Sequence, residues 1–209
     1  MNDGTYNFCR YEGKLYIGDG SISEGNGIYY KNIVEANLPK YYQGELIYGN
    51  WNNSLYGMGF LIRITIPCTY REIRYSFCSY CQKLESIVFE ENSQVESIGK
   101  WFAGVTAISS ITFPYSLKRV EGTCMFFDCK KLKQIIFWGN CAVSGRIFNN
   151  NNPADIFIII VSTRYPSTTF GEKDVTAVID LPVIKKYATC KVYPRSKRTK
   201  ILVNTITNN

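Results

Sequence analysis

The residues best suited to chemistry in this chain are its eight cysteines, two of them spaced as Cys78-Ser79-Tyr80-Cys81. A C-x-x-C pair can exchange disulfides or supply half of a zinc site. It has no histidine to work with, because the chain contains none. That removes the commonest general base and metal ligand, and with them any Ser-His or Cys-His pair. A zinc site would have to gather Cys78, Cys81, Cys124 and Cys129 unaided. The sequence displays no phosphate-binding loop, dinucleotide fingerprint, catalytic set, cofactor site or metal site, so the expected reading is not an enzyme.

Charge offers a second kind of chemistry. Basic residues number 24 and acidic ones 17, a formal +7, yet residues 1–180 hold 17 of each. The whole excess lies in Lys185, Lys186, Lys191, Arg195, Lys197, Arg198 and Lys200, with no acidic residue after Asp180. Such a tail attracts phosphate-bearing partners, nucleic acid or an anionic lipid surface, through counterion release. It is equally readable as a solvated charged segment.

The elements that must position these residues follow from an internal repeat. At 209 residues, 45% apolar and 15% aromatic, the chain has ample material for a core and is not of disordered composition. Its longest apolar run, Ile156 to Val161, is far short of a membrane-crossing helix, and its first thirty residues lack the basic start and apolar stretch of an export signal. The segments starting at Leu61, Leu84, Ile108 and Leu132 each place apolar residues at their first, fourth and sixth positions, at spacings of 23, 24 and 24 residues. A fifth copy falls on Ile156, Ile159 and Val161, and a looser one on Ile33 to Pro39, where Leu38-Pro39 echoes Ile66-Pro67 and Phe113-Pro114. Between them a second block recurs: Ile73 with Phe77 and Cys81, Val95 and Ile98 with Phe102, Val120 with Phe126 and Cys129. One such turn cannot bury an apolar face alone. Several stacked turns can, with their strands forming a parallel ladder.

The pattern resembles the leucine-rich repeat of the BspA-like surface-antigen family, approximately L-x-x-I-x-L-P followed by V-x-x-I-G-x-x-A-F-x-x-C. Val95-Glu96-Ser97-Ile98-Gly99-Lys100-Trp101-Phe102 is a close match, while Thr106 stands where the family has cysteine. The resemblance implies an α/β leucine-rich repeat solenoid, with stacked 23–24-residue turns, short parallel strands and little helix. It also implies a non-catalytic protein that binds another macromolecule, as a surface antigen in adhesion or host contact, without a small-molecule substrate. The missing export signal keeps an intracellular scaffold in contention, as does an anion-directed binder using the tail. By the same register Cys81 and Cys129 pack as small hydrophobes inside the turns. They sit two turns apart, about 10 Å at about 4.8 Å per strand, beyond disulfide reach.

The expected organisation is a capping region over residues 1–32, a solenoid over 33–161 with its best turns in 61–138, and a C-terminal cap and basic tail over 162–209. Gly18-Asp19-Gly20 and Gly25-Asn26-Gly27 read as the turns of an N-terminal strand pair. In the ladder, side chains between core positions must point outward. A protein or cell-surface partner on the concave strand face would therefore meet Arg63, Thr65, Glu85, Ser86, Val88, Ser109, Ser110, Thr112, Lys133, Gln134 and Ile136. Plain β-propensity would produce a similar stripe, and Phe157, Ile158 and Ile160 are expected to lie under a C-terminal cap.

Overall fold

Runs such as Arg63-Ile64-Thr65-Ile66 and Ser110-Ile111-Thr112-Phe113 alternate polar and apolar side chains, the period of a strand with one buried face. The computed structural model describes residues 1, 3–28, 32–148 and 158–179, together with the backbone of two short strands beyond them. The strands are β1 (Phe8–Tyr11), β2 (Lys14–Ile17), β3 (Glu35–Asn37), β4 (Tyr41–Tyr42), β5 (Glu45–Asn50), β6 (Arg63–Ile66), β7 (Glu72–Ile73), β8 (Ser86–Phe89), β9 (Ser97–Ile98), β10 (Ser110–Phe113), β11 (Arg119–Val120), β12 (Gln134–Phe137), β13 (Ile158–Ser162), β14 (Thr169–Phe170), β15 (Lys173–Asp174), β16 (Ala177–Ile179), β17 (Lys191–Val192) and β18 (Ile201–Leu202). The chain is a β-solenoid of about five stacked turns. The expected little helix is none at all among the described residues.

Each turn lays one strand into each of two sheets. The first runs β3-β6-β8 and, separately, β10-β12-β13-β16, all parallel. The second is continuous, β1-β2-β5-β7-β9-β11, and is parallel from β2 onward. A third side joins the turns without regular strands: the Leu55 N–H donates to the Phe77 carbonyl, Cys78 to Phe102, Ala103 to Met125 and Phe126 to Ile147. Its corners require left-handed backbone, taken by Asn53, Ser76, Trp101 and Cys124 in successive turns and again by Tyr80, Val105 and Asp128. Each non-glycine residue so held costs about 1–2 kcal/mol, and bonds to the next turn fix it there. At the C-terminal end Glu172 closes this side, its carboxylate accepting the N–H groups of Ile147 and Phe148 at 2.8 and 2.7 Å.

The repeat's apolar positions fill one core running through every turn. Phe77, Phe102, Phe126 and Phe148 stack turn upon turn at 5.8, 6.3 and 6.1 Å between ring centroids. Phe89, Phe113 and Phe137 form a parallel column at 5.9 and 5.7 Å. At the far end Ile160 packs with Trp138 against Ala177 and Ile179 of β16, whereas Ile158 remains 37% exposed.

Two sequence expectations need correction. The N-terminal strand pair is β1 with β2, turned at Glu12-Gly13, and the two glycine clusters follow it rather than form its turns. Both turn residues have positive φ, 47° and 73°, which matches the strands' right-handed twist. The single parallel ladder also fails to continue, because β8 and β10 are adjacent turns with no ladder between them.

Two local features lie at that break, although a still longer corner after β3 and Pro67 in the same register position leave β3 and β6 paired. Ser86 to Ser97 spans eleven positions where Arg63 to Glu72 and Ser110 to Arg119 each span nine, so the turn of β8 and β9 carries a corner two residues longer than these, at Glu90 to Gln94. The equivalent corners elsewhere are closed by the Glu90 N–H on the Ile66 carbonyl and the Trp138 N–H on the Phe113 carbonyl. The residue between them in register is Pro114, which has no N–H to give Phe89. Phe89 is accordingly only half-buried, unlike the other described sixth-position residues Ile66, Phe113, Phe137 and Val161.

Candidate functional site

Hydrogen bonding sorts the edges of β8 and β10. In β8 the Ser86 and Glu90 N–H groups donate to Ile62 and Ile66, so even-numbered residues face β6 and the backbone groups of Ile87 and Phe89 face β10. In β10 the carbonyls of Ser109 and Phe113 accept from the following turn, so Ser110 and Thr112 turn their N–H and C=O toward β8. Two rows of backbone groups thus face each other where no ladder forms. Beside them lies a cleft of about 540 Å³. Its floor includes Ile87, Ile111 and Phe113, its walls Ser86, Val88, Ser110 and Thr112, and its outer rim Glu91, Tyr115 and Trp138.

The eleven expected face residues fall around this opening. Ser86, Val88, Ser110 and Thr112 line it. Arg63 and Thr65 pair in register with Ser86 and Val88 on one side, and Gln134 and Ile136 with Ser110 and Thr112 on the other. Glu85, Ser109 and Lys133 stand just ahead of their strands, exposed. Sequence reasoning passed over Phe89, Glu91, Tyr115 and Trp138. The longer corner between β8 and β9 and Pro114 were the signals that could have found them.

Electrostatics at the rim is uneven. Glu90 bonds Lys40 at 2.9 Å and accepts the Cys68 N–H at 3.0 Å, contacts that hold its carboxyl below the usual carboxylate range. Glu91 next to it is exposed, and no ion pair of the described residues involves Glu91, Glu85 or Arg63.

Cys78, Cys81, Cys124 and Cys129 are buried, whereas Cys9, Cys68 and Cys141 are half-buried. Cys81 donates its S–H to the Leu55 carbonyl at 2.9 Å and Cys129 to that of Ala103 at 3.0 Å. Cys78 reaches the Phe102 carbonyl at 3.3 Å. At the same register position Thr106 donates its hydroxyl within its own turn, to the Ala103 carbonyl at 2.9 Å, whereas the two cysteines reach the preceding turn. Burial pushes the Cys81 thiol up to about 12 and raises Cys78 and Cys129 as well. A thiol kept neutral is a poor nucleophile and a poor metal ligand. Of the tail, Lys185, Lys186, Arg195, Lys197, Arg198 and Lys200 lie outside the described residues, and only the backbone of Lys191 is described, in β17.

Residues 51–174 match, in six copies, the family described as BspA type leucine rich repeat region. A leucine-rich repeat protein of T. pallidum, known from a crystal structure, is 14% identical with a TM-score of 0.51, covering 84% of this chain and 99% of its own. A leucine-rich repeat protein from Bacteroides ovatus is 18% identical with a TM-score of 0.38, covering 83% of this chain and 57% of its own. No curated protein is a match to this chain.

Proposed function

The chain belongs to the BspA-type leucine-rich repeat family, matched over more than half its length, and from that premise we propose that it is a non-catalytic protein that binds another macromolecule through the exposed face of β6, β8, β10 and β12. The observation carrying this reading is the difference between its two sheet faces. On the second sheet Glu96 pairs with Arg71 and Lys118, and Arg119 with Glu121, around a smaller cleft of about 330 Å³. On the strand face Arg63, Glu85 and Glu91 form no ion pair among the described residues, and the larger cleft opens beside Glu91. Charges left unsatisfied beside apolar relief give a surface both specificity and contact area.

The finer part of the proposal, a partner at a cell surface met in adhesion or host contact, is supported by the family resemblance. Photo-crosslinking residues at Thr112 on the strand face and at Lys118 on the second sheet test it on intact and on permeabilised cells. Crosslinks from Thr112 alone, on intact cells, are expected. Crosslinks from Lys118 alone would move the interface to the other sheet.

A second reading is favoured by the uniformly basic tail, which would hold nucleic acid or lipid headgroups. It predicts salt-sensitive retention on heparin or anionic vesicles that disappears on truncation after Asp180.

A further inference from the structure

We propose that the cleft on the second sheet binds an acidic sugar, a short oligosaccharide whose rings carry a carboxylate among their hydroxyls. This cleft is distinct from the strand face, and three features select that ligand.

The first is the order of donors and acceptors. The cleft holds about 330 Å³, at the small end of ligand pockets, and crosses β2, β5, β7, β9 and β11, a span of about 19 Å at about 4.8 Å per strand. Tyr48, Arg71, Glu96 and Lys118 stand in one row across it, each one position ahead of a paired residue. In that row Glu96 lies between Arg71 at 3.5 Å and Lys118 at 3.0 Å. A hydroxyl both donates and accepts, so a sugar ring can give a hydrogen bond to the carboxylate and take one from a cation beside it. The ion pairs are exposed and individually weak, so they set the geometry of the row without closing it to a ligand.

The second feature is charge. Five cations line the cleft, Lys14, Arg71, Arg74, Lys118 and Arg119, against the carboxylates of Glu12, Glu72 and Glu96. The excess favours an anionic sugar over a neutral one, while the carboxylates disfavour nucleic acid or an acidic peptide, whose charges are not interspersed with hydroxyls. Lys118 and Arg119, with side chains 66% and 65% exposed, place the ligand's carboxylate at the β11 end, where a guanidinium takes it with two parallel N–H groups. The third is rigidity. Lys14 stands 4.2 Å over the Tyr48 ring and Arg74 4.7 Å over that of Tyr11, while the Tyr16 hydroxyl donates to Glu72 at 3.0 Å. The strands beneath pair without interruption from β2 to β11, so the groups that meet the ligand are held in place before it arrives.

The test titrates the full chain with trigalacturonate, with its methyl ester, which keeps the hydroxyls and loses the charge, and with triglutamate, which keeps the charge and lacks the hydroxyls. Amide NMR shifts of Ser97 and Arg119 report occupancy of this cleft separately from the basic tail. Trigalacturonate is expected to shift both amides and to bind at least tenfold more tightly than either control. Lys118→Gln and Arg119→Gln together, both at exposed positions, are expected to weaken trigalacturonate at least tenfold and to leave the amides of the first sheet unmoved, which shows that the variant is folded. The inference is overturned if trigalacturonate does not bind, if the ester binds as tightly, if the double variant binds as tightly as the parent chain, or if the shifts map to the tail or the strand face instead. Equal binding of triglutamate would assign the cleft to an acidic peptide and overturn it too. Crosslinks from Thr112 report a partner on the strand face and these titrations a sugar on the second sheet, so either reading can fail without the other.

Discussion

The two sheets of this solenoid are built by the same turns and yet differ in completeness. The second sheet passes from β5 through β7 and β9 to β11 without interruption, and five of its outer charges are spent on one another: Glu96 lies between Arg71 at 3.5 Å and Lys118 at 3.0 Å, and Arg119 lies 3.7 Å from Glu121. Arg74 stacks over Tyr11 and Trp51 at 4.7 and 4.6 Å above that face. The first sheet stops at β8 and resumes at β10, with Arg63, Glu85 and Glu91 outside any ion pair of the described residues. A repeat fixes what the core needs and leaves the rest to each turn. A corner lengthened by two residues and a proline in register sit where one sheet opens while the other stays closed.

The comparison is broken most severely through the core that both sheets share. Ile98→Asp beneath the second sheet and Ile111→Asp beneath the first are each expected to cost several kcal/mol, because both residues are 3% exposed or less and an unpaired charge would be buried. Thermal melts or urea titrations measure this. Tolerance of Ile111→Asp alone would mean that the open sheet is not part of the common core.

The next effect is alkaline. Cys81 is held up to about 12 against an ordinary value of 9.0, and Tyr6 also to about 12 against 10.0, by burial. In the unfolded chain these groups lose their protons first. The folded state is therefore favoured fully below pH about 9, and that stabilisation is lost as pH rises toward 12. Denaturant midpoints should accordingly fall across pH 9 to 12. Reagents for free thiols should leave Cys78, Cys81 and Cys129 unmodified at pH 8 in the native protein.

A sharper intervention is to delete Glu91 and Asn92, which brings the long corner to the length of its neighbours. Pairing β8 with β10 would add two or three backbone hydrogen bonds, at about 0.5–1.5 kcal/mol each, and the variant is expected to be more stable by about 1–2 kcal/mol and to lose the cleft. A destabilised variant would mean that corner length does not hold the sheet open. The smallest effects lie on the two faces. Glu96→Gln breaks two exposed ion pairs and is expected to cost no more than about 0.5–1 kcal/mol, while Glu85→Gln on the strand face should change almost nothing.

How much of this could be read from sequence follows from what the repeat constrains. The first, fourth and sixth positions announced themselves, since Leu61, Ile64 and Ile66 and their equivalents must be apolar to stack, and the strands follow from them. The left-handed corners did not. Ser76, Trp101 and Cys124 share a backbone conformation without sharing a side chain, because neighbouring turns impose it. The break between β8 and β10 was not visible: Pro114 echoes Pro67, and β6, which precedes Pro67, pairs with β3 all the same. The N-terminal hairpin escaped because Glu12-Gly13 lacks the usual asparagine or aspartate before glycine.

Hydrogen exchange at single-residue resolution tests the split sheet most directly, since each strand contains its own control. Along β8 the amides of Ile87 and Phe89 should exchange much faster than that of Val88, and along β10 those of Ser110 and Thr112 faster than that of Ile111, an alternation that only an open edge produces. Uniformly slow exchange along both strands would mean that β8 and β10 are paired in solution, and the contrast between the two sheets would not exist.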